Sequence, residues 1–178
     1  MPAHEEGRVP SPGPQQAVFG FDQRNLVRRE GRAVKRHARF PIAAFDALSH
    51  GVNVALLVDF CKDLSGDMVL VGSSLGGYVA VAAASLLHAR GVFVMAPALY
   101  MEGIPPLRAG GLDCPVTAVH GWRDEVVPFE HSVRFAQSYH AALHLLDSDH
   151  LLHNQIRVLQ YLFEYFLIAL DMPTIAQP

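Results

Sequence analysis

From residue 52 onward, short apolar runs alternate with longer segments of helical periodicity. The apolar runs are continuous, which is typical of strands buried on both faces. They are predicted as strands at 68–71, 92–96, 115–120 and 143–146, and the periodic segments as helices at 52–64, 77–90, 129–140 and 151–170. This alternation predicts an α/β fold with a mostly parallel central sheet and helices on both faces. An active site is then expected at the carboxyl ends of the strands.

The N-terminal part of the chain has a different composition. Residues 1–16 contain four prolines, two glycines and two glutamines, which predicts a flexible leader before a single domain at 17–172. Two short apolar segments, 17–19 and 40–45, are predicted as strands, the second at a sheet edge because it contains Pro41. The 178 residues, 51% of them hydrophobic, suit one compact domain with a real core.

The charge pattern limits the classes of partner. A net charge of −3 favours neither nucleic acid nor a membrane surface. Residues 1–40 hold eight of the fourteen Lys and Arg, but no aromatic residues are interleaved with the basic run, so we interpret it as a solvated helix face. The longest apolar stretch, 158–170, is too short to span a bilayer. With no apolar signal segment and only Cys61 and Cys114, a cytoplasmic protein is expected, although one disulfide stays open.

Residues 69–78 carry three glycines around two serines, V-L-V-G-S-S-L-G-G-Y. The pattern G-x-S-x-G fits one register only, which centres it on Ser74. A strand that turns at once into a helix strains its central residue, and β-carbons at Gly72 and Gly76 are expected to clash there. The turn exposes the serine hydroxyl and places the Leu75 N–H to stabilise an oxyanion. Ser74 is therefore predicted as a nucleophile; the alternative is a strand–helix junction without chemistry.

A serine nucleophile needs a base, and the base needs a carboxylate that orients it. The stretch V-T-A-V-H-G-W-R-D-E-V-V-P combines a strand, a glycine turn and Asp124 in the following loop. Asp124 is the predicted acid. Its neighbour Glu125 is the rival, and a helix-capping or turn role is the alternative for Asp124 itself.

The predicted base is His150. The stretch L-L-D-S-D-H-L-L-H places His150 directly after the last strand, at the same sheet edge and 26 residues beyond Asp124. His153 lies one helical turn further on and is more typical of a helix surface. His120, at the end of its own strand, is interpreted as structural, with a catalytic role as the alternative. No metal site is expected from the other histidines.

The order Ser74, Asp124, His150 is the order of an α/β-hydrolase. With the motifs G-S-S-L-G-G-Y, M-A-P-A-L, H-G-W-R-D-E-V-V-P and D-S-D-H-L-L, the chain resembles small bacterial serine esterases of that fold, the compact group that includes YqiA-like esterases. The resemblance implies a minimal, lidless hydrolase without cofactor or metal. It also implies a second oxyanion donor in a His-Gly-X loop; here Phe19-Gly20-Phe21 takes that place, and the donor would be the Phe21 N–H.

The remaining expectations concern substrate and partners. Leu99, Tyr100 and Trp122 follow strands at the expected edge and either line an apolar substrate pocket or pack in the core. The apolar face of the last helix is expected in the core or in a homodimer contact. Little sequence is available for a lid, which favours small or short-acyl carboxylic esters, with thioesters as a close variant. The alternative function is a catalytically weak or inactive α/β-hydrolase-like binding protein, suggested by the altered Phe-Gly-Phe loop.

Overall fold

A computed structural model describes residues 50–63, 68–108 and 111–171 of the chain. The predicted leader, the strands expected at 17–19 and 40–45, and the predicted oxyanion residue Phe21 lie outside the described residues. The boundaries predicted for the domain lie outside them as well.

The described residues form four strands, four α-helices and one short 3₁₀ helix. The strands are β1 (Val69–Ser73), β2 (Gly91–Met95), β3 (Val116–Gly121) and β4 (Ala142–Leu146). The helices are α1 (His50–Cys61), α2 (Leu75–Ala84), α3 (Phe129–Tyr139) and α4 (Ile156–Asp171), and the 3₁₀ helix His153–Gln155 precedes α4. Each strand and helix predicted from residue 52 onward has a counterpart. None of these described helices combines the length and apolar character needed to cross a membrane.

The four strands form a parallel sheet in the order β1-β2-β3-β4. In this register Ser73 lies opposite Met95, and Gly121 lies opposite Leu146. The carboxyl ends of the strands therefore meet along one edge, and the loop after each strand begins there. The predicted α/β-hydrolase architecture, a parallel sheet flanked by helices, is confirmed.

One cluster of the core lies where α4 packs against the central strands. Its buried members are Phe93, Val119, Leu152, Leu159 and Phe166. The Phe93 ring also meets the edge of the Phe163 ring, with centroids 5.2 Å apart. Burying each large apolar side chain stabilises the fold by about 1.5–3 kcal/mol, so this contact fixes α4 on the sheet.

The last helix begins later than its apolar periodicity predicts. The prediction placed its start at Leu151, but α4 begins at Ile156. Leu152 adopts a left-handed conformation with φ 57°, which a continuing right-handed helix does not allow. Its side chain is only 1% exposed, and its burial in the core holds this backbone turn. The loop after β4 is therefore longer than predicted and carries His150.

The connection between β2 and β3 contains no helix in its described residues, 96–108 and 111–115. This connection starts at the carboxyl edge of the sheet, where a helical lid over the site would otherwise arise. The described residues of this connection are therefore turns and irregular chain.

Candidate active site

Ser74 is the single residue between β1 and α2. Its backbone has φ 52° and ψ −121°, a strained conformation that residues other than glycine rarely adopt. The strain is held by hydrogen bonds on both sides: the Ser74 N–H donates to the Met95 carbonyl at 2.9 Å, and the Ser74 carbonyl accepts from the Ala98 N–H at 2.9 Å. The Ser74 side chain does not cap α2, so its hydroxyl is free to point along the sheet edge.

The two flanking glycines of the motif differ in how much they are needed. A β-carbon at Gly72 would lie 2.2 Å from the Gly76 carbonyl oxygen, a distance that no real side chain tolerates. A β-carbon at Gly76 would meet nothing within 4 Å in the described structure. The predicted clash is therefore confirmed at Gly72 and wrong at Gly76, because the β-carbon position of Gly76 faces open space.

The N-terminus of α2 lies directly behind the Ser74 hydroxyl. Leu75 is the first helical residue, and the first N–H groups of a helix have no partner within the helix. The helix dipole adds partial positive charge at this end. The Leu75 N–H is thus suited to receive negative charge that develops beside Ser74.

Asp124 lies in the loop after β3 with its side chain fully buried. Its Oδ1 accepts hydrogen bonds from the N–H groups of Val126 and Val127, each at 2.8 Å. Burial alone would raise the pKa of Asp124, but the bonds from Val127, His150 and Val126 outweigh it and hold the pKa below its usual range. The carboxylate is therefore ionised at neutral pH and fixed in orientation.

His150 connects this carboxylate to the serine. Its Nδ1 lies 2.7 Å from Asp124 Oδ2, and its Nε2 lies 3.1 Å from Ser74 Oγ. An ionised carboxylate can only accept, so Nδ1 carries the proton and Nε2 is left to accept from the serine hydroxyl. The three residues predicted from sequence are brought together in one hydrogen-bonded chain.

The loop that carries His150 is held against the loop after β3. The Arg123 N–H donates to the Ser148 carbonyl at 2.9 Å, and Asp149 Oδ1 accepts from the Leu151 N–H at 3.1 Å. A β-carbon at Gly121 would lie only 2.4 Å from the Ser148 carbonyl oxygen. Glycine at the end of β3 is what allows the acid and base loops to approach this closely.

The other predicted candidates lie in different surroundings. Glu125 and His153 are exposed and make none of the contacts that join Ser74 to Asp124. Leu99 is 1% exposed and packs in the interior. The Tyr100 ring lies 4.1 Å from the Arg134 guanidinium carbon, whereas the Trp122 ring is 51% exposed and packs edge-on against Phe129. Of the three pocket candidates, Trp122 offers the most surface to a substrate.

One contact of the Asp124 carboxylate was not predicted from the sequence. His120 Nε2 lies 2.9 Å from Asp124 Oδ2, and His120 Nδ1 lies 2.7 Å from Ser132 Oγ. The interpretation of His120 as structural did not connect it to the acid. The four-residue spacing from His120 to Asp124, across a glycine turn, is the signal that could have indicated the contact.

No group of three His, Cys, Asp or Glu side chains in residues 50–63, 68–108 and 111–171 is arranged to hold a metal ion. The free cysteines of this part, Cys61 and Cys114, have a pKa raised by burial, to which Asp113 adds at Cys114. Neither thiol is activated as a nucleophile.

A parallel sheet with a serine on its strand–helix turn, and an acid and a histidine on later strand-end loops, defines an α/β-hydrolase-type protein. The chain belongs to the alpha/beta hydrolase family, whose model matches residues 17–171. No curated protein is significantly similar to it in sequence.

Solved structures agree with this family assignment. A protein of the alpha/beta hydrolase superfamily from Xanthomonas campestris is 30% identical, with a TM-score of 0.61 over 67% of this chain and 69% of that one. Mouse alpha/beta hydrolase domain-containing protein 10 is 18% identical, with a TM-score of 0.61 over 70% and 72% of the two chains. Est1E from Butyrivibrio proteoclasticus is 21% identical, with a TM-score of 0.52 over 66% and 67%. The last two share the fold.

Proposed function

We propose that this protein is a serine hydrolase that cleaves carboxylic esters through Ser74, His150 and Asp124. The observation that carries the proposal is the continuous chain of hydrogen bonds from Asp124 Oδ2 through both ring nitrogens of His150 to Ser74 Oγ. A serine hydroxyl is a weak nucleophile without a base, and this chain supplies the base and its orienting carboxylate.

In the first half-reaction Ser74 Oγ attacks the ester carbonyl while its proton passes to His150 Nε2. The negative charge of Asp124 stabilises the imidazolium that forms. When the tetrahedral intermediate collapses, the carbon–oxygen bond to the alcohol breaks, and His150 returns the proton to the leaving alkoxide. The product is an acyl group on Ser74.

In the second half-reaction water replaces the alcohol. His150 Nε2 takes one proton from the water, whose oxygen attacks the acyl carbonyl, and the proton then returns to Ser74 Oγ as the acid leaves. The Leu75 N–H donates to the oxyanion in both halves, and the Phe21 N–H is proposed as the second donor. Phe21 lies outside the described residues, so its part rests on the Phe19-Gly20-Phe21 motif.

The proposed substrates are small or short-acyl esters. This part of the proposal is supported by the connection after β2, whose described residues contain no helix. The exposed Trp122 ring at the sheet edge also supports it, because it suits an acyl or alcohol group. Tyr100 would border the same pocket, and the buried Leu99 would support it from below. Thioesters carry the same reacting carbonyl and belong to the proposed range. The compact YqiA-like esterases are the proposed subgroup, on the four shared motifs.

Hydrolysis of a panel of p-nitrophenyl esters from acetyl to lauroyl tests this proposal. The wild type is expected to turn over the short esters fastest, and Ser74→Ala is expected to lower kcat by about 10⁴-fold or more. Equal rates for the two proteins, or no turnover by folded wild type, would reject the esterase proposal. The second outcome would favour a binding protein that keeps the fold without activity.

A further inference from the structure

His120 is fully buried at the end of β3, and both of its ring nitrogens are engaged. Nε2 faces two oxygens, Asp124 Oδ2 at 2.9 Å and the Val127 carbonyl at 3.0 Å. Nδ1 faces the buried Ser132 hydroxyl, 2.7 Å away on α3. Both oxygens opposite Nε2 only accept, so Nε2 carries a proton.

The protonation state of His120 follows from its surroundings. Burial lowers the pKa of His120, and this outweighs the opposing influence of the Val127 carbonyl and of Asp124. The ring is therefore neutral near pH 7, and Nδ1 is left to accept from the Ser132 hydroxyl. Ser132 is itself fully buried, so no substrate reaches it, and it serves to fix the His120 tautomer.

All hydrogen-bonding positions of the Asp124 carboxylate are consequently occupied. Oδ1 accepts from the N–H groups of Val126 and Val127, and Oδ2 accepts from His150 Nδ1 and from His120 Nε2. His120 contacts Oδ2, the same oxygen that orients the base. It approaches this oxygen from β3, whereas His150 approaches it from the loop after β4.

We propose that His120 is a positioning residue: it donates a hydrogen bond to Asp124 Oδ2 and thereby holds this oxygen where it fixes the tautomer and orientation of His150. The catalytic part of this inference rests on the proposed function. His120 makes no contact with Ser74 Oγ in the described structure and acts only through Asp124. Loss of this bond leaves His150 Nδ1 as the remaining described donor to Oδ2, so the position of this oxygen is less tightly fixed.

A double-mutant cycle separates this role from simple packing. His120→Leu removes the donor, while His120→Gln keeps an N–H near the position of Nε2. His120→Leu is expected to lower kcat by about 10–100-fold, as for a lost hydrogen bond to a charged group, with KM changed less than about twofold. His120→Gln is expected to recover most of kcat.

The same substitution in an Asp124→Asn background gives the decisive comparison. Asp124→Asn is expected to lower kcat by about 10³–10⁴-fold, and adding His120→Leu should cost less than about twofold more, because the carboxylate it acts through is gone. An equal loss in both backgrounds, or full kcat in His120→Leu, would overturn the proposal. Thermal unfolding of each variant identifies a protein that fails to fold. If His120→Leu fails to fold, the kcat of His120→Gln is compared in the two backgrounds instead.

A readout that needs no activity keeps this inference separate from the proposed function. In ¹⁵N NMR spectra of the wild type, His120 is expected as the neutral Nε2–H tautomer and His150 as Nδ1–H. His120→Leu is expected to shift the His150 nitrogens towards a mixture of tautomers, and His120→Gln to restore them. An unchanged His150 in His120→Leu would reject the positioning role even in an active enzyme. If the spectra change as expected in a protein without esterase activity, the proposed function is rejected, but the positioning of Asp124 Oδ2 by His120 is supported.

Discussion

Ser74 and the Asp124–His150 pair lie on the same sheet edge, but different interactions hold them in place. Ser74 is positioned by its backbone, which has φ 52° at the residue itself and a glycine at 72 that leaves room for the turn. Its N–H donates a hydrogen bond to the Met95 carbonyl, and its carbonyl accepts one from the Ala98 N–H. Its hydroxyl contributes nothing to that arrangement apart from the contact with His150.

Asp124 and His150 are positioned by their side chains. Asp124 accepts four hydrogen bonds, two from backbone N–H groups and two from histidines, and its side chain is completely buried. The backbone around it lies in a turn without positive φ. The orientation of this pair therefore depends on charge and on protonation. The backbone strain at Ser74 depends on neither.

The two sides of the site are therefore sensitive to different kinds of change. Steric change close to β1 should destroy the turn at any pH, because the strain there is a matter of shape. A change of protonation should act on the acid–base side and leave the turn intact. Substitution at Gly72 tests the serine side, and a change of pH tests the acid–base side.

Among the changes that test this difference between the two sides, Gly72→Ala is expected to have the largest effect. The new β-carbon would lie 2.2 Å from the Gly76 carbonyl oxygen, so the turn must shift. A shift of about 1 Å at a reacting group costs about 100-fold in rate, and overpacking costs about 1–3 kcal/mol of stability. We expect kcat for a short ester to fall at least about 100-fold, together with a lower unfolding temperature.

Gly76→Ala is the matched control for this substitution. A β-carbon there meets no atom within 4 Å in the described part of the chain, and alanine is the better helix former within α2. Its rate is expected within about threefold of wild type and its unfolding temperature unchanged or higher. Equal damage from both substitutions would contradict the steric account of the turn.

A smaller effect is expected from pH on the acid–base side. The pKa values of His120 and Asp124 are lowered from their ordinary values of 6.5 and 3.8, so the unfolded chain binds more protons as the pH falls through these values. Both groups therefore contribute stability that is present at higher pH and lost on acidification, beginning below about pH 6.5 for His120. The slope from one group cannot exceed about 1.4 kcal/mol per pH unit.

Urea unfolding of wild type and His120→Gln at pH 7.5 and pH 5 measures the His120 contribution. The advantage of the wild type in free energy of unfolding is expected to shrink at pH 5, because only the wild type carries the buried neutral histidine. An advantage that stays the same, or grows, at pH 5 would contradict the assignment of His120 as neutral in the folded protein.

The part of the fold that repeats a simple pattern could be predicted from the sequence. The strands around Val94 and Ala118 read as continuous apolar runs because both faces of the sheet are covered there. The run around Leu70 predicted the same for β1, but Val71 of that strand is 44% exposed. The start of α4 could not be predicted, because the helical periodicity continues through Leu152 while core burial holds that residue in a left-handed turn.

The candidate site also has a part that could be predicted from the sequence and a part that could not. Ser74, Asp124 and His150 were found because motif spacing and strand-end position each constrain them independently, and the structure joins them by hydrogen bonds. Their catalytic roles stay predictions. The contact of His120 with Asp124 depends on how the loop after β3 folds back on its own strand, which the four-residue spacing across Gly121 permits but does not specify.

Reaction with a fluorophosphonate, followed by mass spectrometry of the proteolytic peptides, tests whether Ser74 is an activated nucleophile. The account predicts one adduct on Ser74 of the wild type, none on Ser74→Ala, and unchanged labelling of the matched control Ser73→Ala. Labelling should also fall strongly in His150→Ala, because the serine then lacks its base. A folded wild type that stays unlabelled, or that carries its adduct on another residue, would contradict the account.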